Sequence, residues 1–215
     1  LDLHRGDEKS VRILEALVRE KAGEDVLKFV EIYNYLKKLN AKKTHFKAPK
    51  IKLFDISKWL KNLPFAPTND QLNAIADLRA DFSGEQAVRR VVMGDVGSGK
   101  TVIAALAAMV AVGSGWQATL MAPTEILARQ HYERLSPWLE PLGVRVGWLA
   151  GSLGAAAKRR VKQAVAAGEV DVLIGTHALI EDSVVFPRLA LAIVDEQHRF
   201  GVAQRAKLWS KSENP

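Results

Sequence analysis

Residues 94–101 read Gly94-Asp-Val-Gly-Ser-Gly-Lys100-Thr101 and match G-x-x-x-x-G-K-[ST] in full. Each part of the pattern has a physical purpose. The glycines let the backbone turn its N–H groups inward around phosphate oxygens. A helix that starts near Gly99 aims the positive end of its dipole at the same anion. Lys100 is placed to reach the β- and γ-phosphates, and the Thr101 hydroxyl to ligate Mg²⁺. Gly94, Asp95, Val96, Gly97, Ser98, Gly99, Lys100 and Thr101 are therefore the candidate nucleotide-binding residues. The apolar stretch 89–93 predicts a strand before the loop, and the alanine-rich run 100–112 predicts a buried helix after it.

Outward from this loop a regular alternation continues. Helices are expected at 68–80, 125–139 and 154–167, and strands at 118–122, 144–149, 170–175 and 189–194. Short strands, apolar on both faces and alternating with helices, define an α/β fold with a parallel sheet covered on both sides. The last strand delivers Asp195-Glu196, two adjacent acids at its carboxyl end, where open α/β sheets bind ligands. Asp195 would hold Mg²⁺ through its water shell, and Glu196 would orient or activate the attacking water. The expected chemistry is magnesium-dependent hydrolysis of a nucleoside triphosphate. Gln197 and His198 follow at once. His198 reads either as a surface histidine or, with Gln197, as a link between the γ-phosphate and whatever the hydrolysis drives.

Composition narrows the remaining possibilities. The chain has 215 residues, 48% of them hydrophobic, enough for a real core. It has no cysteine, which excludes disulfides and thiolate metal sites. The longest apolar run, Val102 to Val112, is too short to span a bilayer. The chain opens Leu-Asp-Leu-His-Arg, without Met or an apolar leader, and is expected to be a cytoplasmic piece of a longer protein.

Charge divides the chain. Residues 1–62 carry 15 Lys+Arg against 9 Asp+Glu, mostly as lysine; residues 63–215 carry 16 against 15, mostly as arginine. The boundary is expected near Leu63-Pro64, with a helical, lysine-rich appendage before it and a compact domain after it. A join of two sources would look the same. Helical apolar spacing marks 9–21 and 24–39, residues 41–52 read as a loop, and Asp55 is placed to cap a short helix through Leu60. Residues 37–61 hold nine lysines and one acid. That stretch suits a polyanion or serves as a solvated connector; lysine alone neutralises phosphate and reads no bases.

Asp195-Glu-Gln-His198 resembles the D-E-x-H box of superfamily 2 helicases, and its continuation Arg199-Phe-Gly-Val-Ala-Gln-Arg205 is similar to the RecG family of bacterial branched-DNA helicases. Other elements appear in that family's order: Pro64-Phe-Ala-Pro-Thr-Asn-Asp-Gln71 ahead of the loop, Ala122-Pro-Thr-Glu-Ile-Leu-Ala-Arg-Gln-His131 as motif Ia, Leu149-Ala-Gly-Ser-Leu-Gly154 with Ala150 in place of the family's Thr, and Gly175-Thr-His-Ala-Leu-Ile180 as motif Ib. The resemblance covers about residues 63–215.

The resemblance implies a first RecA-like motor domain using ATP and Mg²⁺, with Gln71 in the adenine-reading position. It implies Pro123, Thr124, Arg129, Gly151, Ser152, Thr176 and His177 as contacts to branched or single-stranded DNA. Read from the residues alone, Thr124 and Thr176 are equally helix caps, Arg129 and His131 a solvated helix face, and the tryptophans packing surface. The family's wedge domain, motif III, second RecA-like lobe and arginine fingers are not found in these residues. The chain alone is therefore expected to bind Mg-ATP, hydrolyse it feebly and not unwind DNA, since an arginine finger is worth about 10³–10⁵ in rate. Three alternatives stay open: the related motor of the transcription-repair coupling factor, which generally shows D-E-E-H; a nucleotide-gated binding module without turnover; and a folded but inert piece.

Overall fold

The computed structural model describes residues 51, 56–61, 63–84, 87–95 and 97–211. The chain divides into units Leu1–His45 and Phe46–Pro215, and every described residue belongs to the second. The helices expected at 9–21 and 24–39, the loop at 41–52 apart from Ile51, and the Asp55 cap lie outside the described residues.

Helix α1 (Ser57–Leu60) is a single turn, and α2 spans Asn69–Phe82. Thr68 caps α2 by accepting from Gln71 N–H, while the Gln71 side chain accepts from Thr68 N–H, a reciprocal box. Helix α3 (Lys100–Gly113) starts at Gly99. Strand β1 is Gln117–Met121, α4 Glu125–Leu139, β2 Val146–Leu149, α5 Ala155–Ala166, β3 Val172–Gly175, β4 Leu189–Val194 and α6 Val202–Trp209.

Among the described residues the strands form one sheet in the order β2-β3-β1-β4, parallel throughout. Side chains alternate across it. Ala118, Leu120, Val172 and Ile174 face a core shared with α3 and with Leu135 and Leu139 of α4. Met121, Leu149 and Leu173 face a second core with Val165 of α5 and Leu208 of α6. The α/β reading with both faces covered therefore holds. Packing also continues upstream of Leu63, since Ile51 and Ile56 are buried in the first core.

The strand expected at 89–93 does not form. Val91 and Met93 are 61% and 88% exposed, and no ladder includes them. Apolar residues make a strand only where an edge supplies the ladder. Here the two leading arginines are held elsewhere. Arg90 grips Asp81 of α2 through two nitrogens, and the Arg89 guanidinium lies 4.1 Å above the Trp209 ring. Strand β4 consequently pairs on one side only and is half-buried beyond Leu189, where an apolar run predicts burial on both faces.

The amino-terminal end of the sheet is tied by polar side chains. Gln117, 1% exposed, donates from Nε2 to the carbonyls of Val165 and Val170 and accepts from Arg188 N–H. Beside it, the Arg145 guanidinium and backbone N–H grip the Asp171 carboxylate at 2.7–2.9 Å. Desolvation pushes the Asp171 carboxyl up, but the Arg145 hydrogen bonds and the Arg188 charge outweigh it and hold it below the usual carboxylate range. A lowered folded-state pKa stabilises fully above the unfolded value, about 3.9, and is lost as pH falls through the folded value. Asp171→Asn is therefore expected to cost about 1 kcal/mol at neutral pH, the half-exposed arginine keeping the figure small. The deficit should shrink below about pH 4; urea midpoints across that range check it, and a pH-independent deficit contradicts the assignment.

Candidate nucleotide site

The Gly94–Thr101 loop joins the unpaired segment to α3. Gly97 and Gly99 have φ of 86° and 82°, the left-handed region that favours glycine. A Cβ at Gly99 would lie 2.3 Å from Gln71 Nε2, so this position is closed to other residues on two counts. In the first turn of α3, Val102 N–H donates to Gly99 O at 2.8 Å, while the N–H groups before it lack an i−4 carbonyl inside the helix and face its start. Lys100 Nζ lies over the loop, donating to the carbonyls of Gly94 and Asp95. Asp95 and Ser98 are exposed. Val96 lies outside the described residues.

Gln71 is buried against this loop, its Nε2 donating to Ser98 O at 3.0 Å while its Oε1 completes the α2 cap. Its amide thus ties the start of α2 to the glycine loop, a role that the expectation of an adenine reader does not contain.

Across the site, β4 delivers Asp195. Its Oδ2 accepts from His131 Nε2–H at 2.7 Å and its Oδ1 from Glu196 N–H at 3.0 Å. The His131 hydrogen bond, outweighing desolvation, holds the Asp195 carboxyl below the usual range, with smaller contributions from Glu196 N–H and the Lys100 charge. Glu196 has φ 48° and ψ 49°, the single non-glycine with positive φ among the described residues. Left-handed backbone costs an ordinary residue about 1–2 kcal/mol and concentrates at functional sites. The Glu196 carboxylate is half-exposed, 3.4 Å from His198 Nε2. The Gln197 carbonyl accepts from Arg205.

These residues fit a nucleoside triphosphate with magnesium. The loop supplies positive-φ glycines, an open helix start and a lysine. Thr101 and Asp195 supply the hard oxygen donors that this cation takes.

The candidate DNA contacts separate into two groups. Thr124 caps α4, accepting from Leu127 N–H, and Glu125 accepts from Ser152 N–H at 2.9 Å. Lys158 donates to the Gly151 carbonyl. Pro123, Thr124, Gly151 and Ser152 thus form one braced edge at the carboxyl end of the sheet. Arg129, on the exposed side of α4, pairs with Glu133 and lies 5.7 Å over Trp148. His177 is exposed. Thr176 departs from the expectation: it is 1% exposed, and its hydroxyl is buried without a hydrogen-bond partner, so it presents nothing to a bound strand in this conformation.

Two features escaped the sequence reading. His131 belongs to the acid site and not to a solvated face. The signal, Gln130-His131 one helical turn beyond Leu127, is invisible without the position of β4. Helix α5 also carries Lys158, Arg159, Arg160 and Lys162 with no acid in its twelve residues, and both arginines are exposed.

The chain belongs to the DEAD/DEAH box helicase family, whose model matches residues 68–213. Within it, the chain is 49% identical over 157 residues to the ATP-dependent DNA helicase RecG of Escherichia coli O157:H7, covering 73% of this chain and 23% of that relative. It is 51% identical over 154 residues to RecG of Streptococcus pneumoniae serotype 4, covering 72% and 23%. A solved structure of RecG bound to a three-way DNA junction matches with TM-score 0.70 at 40% identity, covering 77% of this chain and 23% of that one. The UvsW helicase of bacteriophage T4 shares the fold at 16% identity, TM-score 0.54, over 77% of this chain and 57% of that one. The likeness to RecG read from the motifs is thus found independently, although the chain spans under a quarter of the length of these RecG relatives. Among the described residues no helix is long and apolar enough to cross a membrane.

Proposed function

We propose that the chain is the ATP-binding motor domain of a cytoplasmic, DNA-dependent ATPase of RecG type that acts on branched DNA. The observation that carries this reading is the glycine-bent loop with positive φ at Gly97 and Gly99 that leads into α3 at Lys100, in a chain 49% identical to a RecG helicase. Here the loop N–H groups and Lys100 bind the triphosphate. Thr101 and Asp195 would hold the cation, which when bound would neutralise charge on the triphosphate. Glu196 takes the proton of the attacking water, and Gln197 and His198 follow it toward the surface. The domain needs a second lobe for full turnover, so hydrolysis by this chain alone is slow.

The test is equilibrium titration with a fluorescent ATP analogue. Saturable micromolar binding that requires Mg²⁺ is expected; no binding, or binding indifferent to Mg²⁺, overturns the reading. Binding that persists with no turnover on forked DNA, even when the second lobe is supplied, favours a nucleotide-gated module.

The braced edge of Thr124 and Ser152 continues into the cationic face of α5, and this is the surface along which a phosphodiester backbone would run. Arg159→Glu with Arg160→Glu is expected to weaken forked-DNA binding about tenfold and to lower the salt slope by about 2, with ATP-analogue affinity unchanged. An unaltered slope removes α5 from the DNA path.

A further inference from the structure

His131 lies on the second turn of α4, 64 residues before Asp195 in sequence, and its ring is 16% exposed. An ionised carboxylate only accepts, so Nε2–H is the donor. Asp195 is held at three points: its backbone N–H donates to Met121 O at 2.9 Å, Oδ1 accepts from Glu196 N–H, and Oδ2 accepts from His131. The first ties the backbone at the end of β4 to β1, and the second is local to the turn after it. The third is contributed by a separate element and fixes the plane of the carboxylate. Each oxygen accepts about two hydrogen bonds, so a lone pair on each stays available for the cation or its waters.

We propose that His131 is the positioning residue of the magnesium-holding carboxylate: its Nε2–H sets the side-chain orientation of Asp195 and thereby the cation affinity of the nucleotide site. The inference rests on Asp195 being the residue that holds the cation. An aspartate at a strand end otherwise samples several rotamers, and freezing them opposes cation binding. With His131 in place that cost falls on folding. Partners of this kind behind a metal ligand typically change metal affinity 10–100-fold when removed. Glu125, at the first position of α4, also holds the Ser152 loop. One helix therefore braces both the proposed DNA edge and the cation ligand.

The experiment measures Mn²⁺ binding to the complete chain with ADP by electron paramagnetic resonance, with thermal unfolding as a check on folding. His131→Leu, which keeps bulk and removes the donor, is expected to weaken Mn²⁺ binding 10–100-fold with metal-free ADP affinity unchanged. His131→Gln, which restores an N–H donor, should recover most of it. His131→Ala replaces the Leu variant should that fail to fold. Unchanged Mn²⁺ affinity in a folded Leu or Ala variant overturns the proposal. Equal losses in the Leu and Gln variants, matched by equal falls in unfolding temperature, overturn it as a structural effect. Asp195→Asn separates the underlying reading: it should weaken Mn²⁺ binding by itself and make the His131 substitution silent. If Asp195→Asn leaves Mn²⁺ affinity intact, Asp195 is not the ligand, and both the reading and the proposal fall.

Discussion

Lys100→Ala is expected to lower affinity for a Mg²⁺–ATP analogue by at least about a hundredfold while leaving thermal unfolding close to that of the parent. The ammonium lies over the loop with two carbonyl acceptors, Gly94 and Asp95. A triphosphate in the loop would offer the same donor charged oxygens instead. Hydrogen bonds to charged groups contribute about 1.5–3 kcal/mol each, so two lost contacts amount to at least about 3 kcal/mol. Stability is another matter. Both present contacts lie at the surface of a loop outside either core, and α3 stays anchored by Leu106, Met109 and Val110. Titrating both proteins with the fluorescent analogue decides the point. Equal affinities would show that this loop does not bind phosphate.

Glu196→Gln should leave ATP-analogue binding unaltered and reduce turnover by about 10²–10⁴, the range for removing a positioned general base. Gln preserves side-chain length and the same left-handed backbone. The substitution deletes only the charge and the ability to take a proton. Among the described residues the carboxylate is half-exposed, and its ion-pair partner is the exposed ring of His198. Single-turnover hydrolysis with DNA and the second lobe supplied is the appropriate measurement. Turnover equal to the parent would move the base elsewhere and leave Glu196 a surface acid.

What could be read in advance follows from which forces are local. Helix α4 and strand β4 have the boundaries that the pattern predicts, because Thr124 caps one and an unbroken apolar run makes the other. The turn ahead of α3 was legible because the positive φ at Gly97 and Gly99 is a backbone requirement written directly in residue types. Residues 89–93 were misread because strand formation needs a partner edge. Arg90 prefers Asp81, and no local pattern weighs that choice. Thr176 looked like a surface hydroxyl because it follows a strand; it is buried together with Ala178 and Leu179 in the turn that follows. The His131–Asp195 contact joins residues 64 apart and exists only once the sheet has brought α4 beside β4.

The polar ties at the amino-terminal end of the sheet have a consequence for how such a domain can change. Gln117 and the Arg145–Asp171 clamp link the starts of β1, β2 and β3 to the chain entering β4, far along the strands from the loops that bear Lys100, Thr124, Ser152 and Glu196. Foundations and tools are thus at opposite ends. Alterations to the working loops draw little on the ties that keep the strands in register. A lineage can reshape what the carboxyl-end loops grip by single substitutions, each testable without loss of the scaffold. A change at Gln117 would disturb three segments together and has no such gradual route.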